Sequence, residues 1–217
     1  MKHRVKLITI ILRKCKMIGF FPFMVTYCIL PCITLSKYFT VGASEACDTF
    51  IYMSQVFFPL CSLLWPMGYL HIWIEGDACE SLHAYSKYHK SCIGEMLLLY
   101  GAYLLLISPI IIFAVILFQV SWLEFFRLII QTCIVISFFY FMAMLFRNVT
   151  IGCIPVISYL FLCLYISGSA EFASFSIIEP THPVEFANWR TLYTSFLLSL
   201  FAFLLGYLLD RFGKKFN

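Results

Sequence analysis

The sequence predicts an all-α polytopic membrane protein with six transmembrane helices. Of its 217 residues, 62% are hydrophobic and only 12% are charged, and the mean hydropathy is +0.92. A soluble domain has about 45–50% apolar and about 25% charged residues. The composition therefore excludes an ordinary water-soluble enzyme, a disordered chain and a nucleic-acid-binding module, because the excess of apolar side chains requires lipid as its solvent.

Six runs of sequence without Asp, Glu, Lys or Arg are long enough to cross a hydrocarbon core, which takes about 20 residues. They define predicted spans within one transmembrane domain (1–217), at residues 17–36, 51–74, 96–119, 128–146, 148–167 and 191–209. Every charged residue lies between these runs. Since buried ionisable residues usually mark ion or proton pathways, the pattern argues against an ion-coupled carrier. Prolines inside the runs predict kinks at positions 22, 31, 59, 66, 109 and 155.

The positions of Lys and Arg predict the orientation of the chain. Six spans place both termini on one side, and that side carries twelve of the fifteen basic residues. Because cytoplasmic loops carry the excess of Lys and Arg, we expect a multi-pass protein of the cell membrane with both termini in the cytoplasm. Such a basic inner face indicates attraction to lipid headgroups and not to nucleic acid. The outer segment 168–190 is apolar, so we expect short re-entrant or interfacial helices there.

The N-terminal residues 1–16 are too short and too charged to cross the membrane, but they have the period of an amphipathic helix. Its basic face holds Lys2, Lys6, Arg13 and Lys16, and apolar residues gather on the opposite face. We expect this helix to lie in the inner interface with its basic face toward the headgroups. The alternative is a signal peptide, but the apolar core is short and no small-residue cleavage site follows it.

The inner segment 75–95 is longer than a simple turn requires. Asp77 is placed as a helix N-cap with Glu80 three residues later, which is the pattern of a capping box. This predicts a short helix over residues 78–84, with Leu82 as its apolar contact. A short polar helix held against the membrane suits the docking of a cytoplasmic partner, and the alternative is a solvated amphipathic turn.

In its layout and in this inner segment, the chain resembles the six-span membrane subunit of a type-2 ABC exporter. That family has an acidic residue at the inner end of span two, a Glu-x-Leu-like helix, a serine-basic turn and a Gly-Lys pair that opens span three. The corresponding residues here are Glu75, Glu80-Ser81-Leu82, Tyr85-Ser86-Lys87 and Gly94. The sequence departs from the pattern at Glu95, where the family often has Lys, and at Tyr85, where it often has Pro.

The resemblance implies a permease that works as a dimer, with a second copy or a homologous permease. Cytoplasmic ABC ATPase subunits would contact the coupling residues Glu75, Asp77, Glu80, Ser81, Leu82, His83 and Tyr85. The chain has no phosphate-binding loop motif, so ATP and Mg would be bound by the partner. The chain itself would be a non-catalytic transport subunit without a cofactor, a metal or a catalytic residue.

Two other function classes are weaker interpretations of the sequence. An intramembrane metalloprotease would need His and Glu on facing spans, and a serine protease would need a Ser–His pair, but Ser167-Gly168-Ser169 lies at an outer end and His71 lies near an inner end. An ion-coupled small carrier would be expected to show an inverted repeat, and the two halves show none. Cys28 and Cys32, one helical turn apart, offer two metal ligands, but cysteine packs as a small apolar residue and that interpretation is favoured.

Aromatic side chains suggest the kind of cargo. Phe contributes 24 residues and Tyr 13, so a cavity between two copies would be aromatic and apolar with little charge. Such a cavity suits a hydrophobic or amphipathic peptide better than a free ion or a sugar, and we expect peptide export or clearance. The alternative is that these side chains only face lipid.

Overall fold

The computed structural model of the chain describes residues 16–75, 92–118, 120–166, 177–178 and 189–213. The regular elements in these ranges are all helices, and they form six units that are long and apolar enough to cross a membrane. We call these units spans one to six: Gly19–Thr40, Ala43–Ile74, Ile93–Phe118, Trp122–Phe146, Val149–Ile166 and Leu192–Arg211. The predicted all-α, six-helix membrane fold is therefore confirmed.

The helices that build the spans have well-defined bounds. They are Lys16–Met24, a π-helix at Val25–Ile29, Leu30–Thr40, Ala43–Ser62, Leu64–Ile74, Ile93–Phe118, Trp122–Phe146, Val149–Ile166 and Trp189–Gly213. Lys2, Lys6 and Arg13 of the predicted interfacial helix lie outside the described residues, and Lys16 is the first residue described. The predicted coupling helix at 78–84 also lies outside them.

Several spans extend beyond the charge-free runs. Span two begins at Ala43, so the first outer turn consists of Val41 and Gly42 and is much shorter than the charge pattern suggests. Gly42 has a φ of 126°, a conformation that side-chain-bearing residues rarely adopt. Glu45 lies in the first turn of span two, where the helix dipole favours a negative charge. Charged residues at helix ends can still reach water. A helix can therefore be longer than the charge-free run that predicts it.

Prolines produce the expected irregularities in spans one and two. Pro31 has no N–H to donate to the carbonyl of Tyr27, and the helix widens just before it into the π-segment Val25–Ile29. Pro66 likewise leaves the carbonyl of Ser62 without its helical donor, and span two is interrupted at Leu63. Both irregularities have the cause that the sequence indicated.

Span three accommodates its proline through a neighbouring hydroxyl. Pro109 lies inside the helix Ile93–Phe118 and leaves the carbonyl of Leu105 without a backbone donor. The Ser108 hydroxyl donates to that carbonyl at 3.1 Å. The adjacent carbonyl of Leu106 accepts a 2.7 Å hydrogen bond from the Tyr27 hydroxyl of span one. Spans one and three are therefore linked close to the proline.

Span four is the centre of the bundle. It is 67% buried across its most apolar window, against 17% for span six. Spans five and six both pack on it through glycines. A Cβ added at Gly152 would lie 2.7 Å from the backbone N of Ala143, and one added at Gly206 would lie 2.6 Å from the Tyr140 ring. These glycines allow the two helices to approach span four closely.

A tight turn joins spans four and five. Arg147 ends span four with a φ of 51°, and Asn148 caps span five by accepting a 2.8 Å hydrogen bond from the Ile151 N–H. We call the end of the bundle that holds this turn the inner end, after the orientation that the basic residues predict. The opposite end, which holds Val41 and Gly42, is the outer end.

Candidate functional site

Glu75 is the one predicted coupling residue that lies within the described ranges; Asp77, Glu80, Ser81, Leu82, His83 and Tyr85 lie outside them. It follows directly on the helix Leu64–Ile74 at the inner end of span two. Its Oε1 accepts a 2.6 Å hydrogen bond from the backbone N–H of Val149, and its Oε2 lies 2.7 Å from His71 Nδ1. Glu75 therefore satisfies one of the open N–H groups at the start of span five, where a negative charge is favourable.

Asp210 makes the equivalent contact at the other side of the inner segment. Its Oδ2 accepts a 3.0 Å hydrogen bond from the backbone N–H of Cys92, the residue just before the helix Ile93–Phe118. Asp210 is only 3% exposed and lies near the inner end of span six. The residues that flank the segment 76–91 are thus held by two carboxylate contacts, one involving span five and one involving span six. We call these two contacts the inner clamp.

A buried polar cluster surrounds the Asp210 side of the clamp. Glu95, in the first turn of span three, is 1% exposed. The fully buried rings of Tyr69 and Tyr140 lie close to both Glu95 and Asp210. The sequence interpretation placed both acidic residues between spans, whereas the structure buries them within helices. The helical spacing of Glu95 with the buried residues Leu99, Tyr103 and Leu106 is the signal that could have identified it.

A second polar network lies toward the outer end, between spans two and four. Glu124 and Arg127 are 3% and 2% exposed, and their side chains form an ion pair at 3.3 Å. One turn further along span four, the Gln131 side-chain amide donates to Gln55 Oε1 at 3.3 Å and also to the carbonyl of Ile177. This outer network fixes the described part of the third outer segment against the bundle. A search restricted to charge-free runs overlooked both glutamines.

A lateral cleft of about 830 Å³ lies between spans four, five and six. Most of its lining is apolar or aromatic, and its polar side chains are the hydroxyls of Ser137, Tyr159, Thr194, Ser195 and Ser199 with the thiol of Cys163. No Asp, Glu, Lys, Arg or His is among the described residues that line it. The cleft therefore offers a neutral environment at membrane depth.

The residues considered for an enzyme or a metal site have simpler environments. His71 is bound to Glu75 and its side chain is 61% exposed, while Ser167 to Ser169 lie outside the described residues. The Cys28 and Cys32 thiols are exposed on span one. Within the described ranges, no three His, Cys, Asp or Glu residues are grouped to hold a metal ion.

Comparisons with known proteins found no matching family model, no matching curated protein and no matching solved structure. The structure by itself shows a multi-pass membrane protein. Its distinctive features are the inner clamp, the outer network and the lateral cleft.

Proposed function

We propose that this chain is the membrane-spanning permease subunit of an ABC exporter, as its resemblance to type-2 permeases implies. It forms the translocation path as a dimer in the cell membrane, with both termini in the cytoplasm. Separate cytoplasmic ABC subunits bind ATP and Mg and perform the hydrolysis, so this chain has no catalytic role. Its cargo is a hydrophobic or amphipathic peptide.

The inner clamp is the observation that carries this proposal. The segment 76–91 holds most of the predicted coupling residues, and it is flanked by Glu75 and Cys92. Glu75 contacts the start of span five, and Cys92 contacts Asp210 of span six. A displacement of the segment by a closing ATPase would therefore act on four spans and not only on the two that it connects. Such fixed contacts are what a mechanical connection between an ATPase and a transport path requires.

The neutral, aromatic character of the described bundle supports an apolar cargo. Among the described residues, the buried charged side chains are Glu95, Glu124, Arg127 and Asp210, all near the ends of their spans. The middle of the bundle contains buried rings such as Phe58, Tyr103 and Phe139. A path through this region would disfavour ions and sugars, because an unpaired charge or polar group loses its hydration there.

A charge and polarity reversal in the inner segment tests the proposal. We expect Glu80→Arg combined with Leu82→Asp to abolish copurification of phosphate-loop ATPase subunits with the tagged chain from its own membranes. The matched control is Glu45→Arg with Val41→Asp, which makes the same changes of charge at exposed positions of the outer end. The measurement is mass spectrometry of the purified complex together with its ATP hydrolysis. Unchanged copurification of the ATPase in the inner variant would contradict the docking assignment.

An ion-coupled carrier is the second candidate, and a specific observation favours it. Glu95 and Asp210 are buried acidic residues in the helices of spans three and six, and such residues often belong to ion or proton pathways. The discriminating experiment is uptake by proteoliposomes that contain this chain alone under an imposed proton gradient. Transport that needs no ATPase and is lost in Glu95→Gln would establish the carrier and refute the permease.

A further inference from the structure

The lateral cleft has a geometry that separates it from the rest of the bundle surface. Spans five and six each pack against span four, and the cleft opens between them. The Tyr159 ring packs against Phe138 with centroids 6.3 Å apart, which closes the side toward span five. Phe203 of span six packs against Tyr140 of span four at 6.2 Å, so spans four and six stay in contact next to the lining residue Ala202. The result is a concave site and not only an exposed helix face.

The chemistry of the walls decides what can occupy this site. The Ser137 hydroxyl donates to the carbonyl of Ile134 at 2.8 Å, and the Ser199 hydroxyl donates to that of Phe196 at 2.7 Å. These hydroxyls therefore use their protons within their own helices and do not require a polar occupant. With no charged residue on the described lining, the walls are complementary to neutral hydrocarbon.

The length of the cleft is close to the thickness of one membrane leaflet. Its lining on span six runs from Thr194 to Leu205, which at 1.5 Å per residue is about 16 Å. Half of a hydrocarbon core is about 15 Å. Thr194 lies close to Leu192, the first residue of the span, so the cleft starts near the outer surface, and it ends at Leu205, past the middle of the span. Its volume of about 830 Å³ falls in the range of sites that bind small molecules.

We propose that the lateral cleft is a binding site for an acyl chain of a phospholipid from the outer leaflet. A void of this size that opens between membrane-spanning helices is surrounded by hydrocarbon, and protein interiors do not keep such space empty. The acyl chain fills the space between spans five and six and packs against Ser199, Ala202 and Leu205. This inference does not depend on the proposed transport function, because it requires neither an ATPase nor a cargo.

Photolabelling tests the proposal on the full chain. The purified protein is reconstituted into nanodiscs of phosphatidylcholine that carries a diazirine in one acyl chain, irradiated, and digested for mass spectrometry. We expect labelling to concentrate on cleft residues of spans five and six. Ala202→Trp fills the cleft and should reduce cleft labelling about ten-fold, because the tryptophan ring takes the space of the chain. Ala102→Trp is the matched control, since Ala102 is exposed on span three and outside the cleft.

Ser195→Trp, at the outer part of the same lining, is a second variant in case Ala202→Trp does not fold, and it should reduce the labelling in the same way. Size-exclusion chromatography establishes that each variant is folded. Equal labelling of the cleft and of other lipid-facing positions would overturn the proposal. So would cleft labelling that both folded cleft variants leave unchanged, or crosslinks from the cleft to a second copy of the chain in place of lipid.

Discussion

Gly152 is the residue on which the close crossing of spans four and five depends. A Cβ at this position would lie 2.7 Å from the backbone N of Ala143, and backbone atoms can move away only if the helices separate. We expect Gly152→Ala to destabilise the protein by about 1–3 kcal/mol, the usual cost of overpacking. The measurement is the thermal unfolding midpoint in detergent. Gly101→Ala is the control, because a Cβ there meets no atom within 4 Å, and it should leave the midpoint unchanged or higher.

Glu75 allows a test of the inner clamp by single substitutions. Removal of its carboxylate in Glu75→Ala leaves the Val149 N–H without its acceptor, and we expect a loss of about 1 kcal/mol, as for other lost helix caps. Glu75→Gln retains an acceptor oxygen and should lose less. Thermal unfolding in detergent measures both, with Asp48→Ala as an exposed acidic control in span two. Equal midpoints for Glu75→Ala and the control would show that the contact with Val149 does not stabilise the fold.

Two side chains show that contacts between distant parts of the chain could not be predicted from the sequence. Glu75 was singled out because it lies at the inner end of span two, but its contact with Val149 joins residues 74 positions apart. No local pattern encodes that contact, because it arises only when spans two and five are packed together. The burial of Asp210 has the same origin, since its partner Cys92 lies at the start of another span.

At the scale of whole elements, the sequence predicted the existence of each span better than its ends. Pro31 and Pro66 were expected to disturb their helices, and the π-segment and the interruption at Leu63 follow directly from the donors that they lack. The start of span two could not be predicted from the charge-free run, because the helix continues through Asp48 and Glu45 to Ala43. A helix end depends on turn geometry and on access to water, and a count of apolar residues contains neither.

The outer network connects two spans and the described part of an outer segment. Its contribution to stability is therefore a property of packed elements and not of one residue. We expect Gln131→Leu to lower stability by about 1–3 kcal/mol, because it leaves the buried Gln55 amide without the partner on span four. The double variant Gln55→Leu with Gln131→Leu should lose less than the sum of the two single variants, since each single variant already breaks the hydrogen bond between the two glutamines. The thermal unfolding midpoints of the wild type, the two single variants and the double variant give a complete double-mutant cycle. Strict additivity would mean that the two glutamines are not coupled.

For the whole molecule, the inner clamp and the inner segment should have separable roles in an exporter complex. In the proposed complex, substitutions within the segment would remove the binding surface for the ATPase, whereas substitutions of the clamp would spare the segment and weaken its connection to spans five and six. We therefore expect Glu75→Ala combined with Asp210→Ala to retain bound ATPase and ATP hydrolysis. Transport of cargo per ATP hydrolysed should fall about ten-fold, because closure of the ATPase would no longer move those spans.

The control for this experiment removes two acidic residues from the opposite end of the same bundle. Glu45→Ala with Asp48→Ala changes the net charge by the same amount at exposed positions of span two, far from the segment. Both double variants are purified with the ATPase, reconstituted into proteoliposomes and assayed for ATP hydrolysis and peptide transport in parallel. If the clamp variant transports as much cargo per ATP as the control, force does not pass through Glu75 and Asp210. The coupling of the segment to the bundle would then have to run through spans two and three alone.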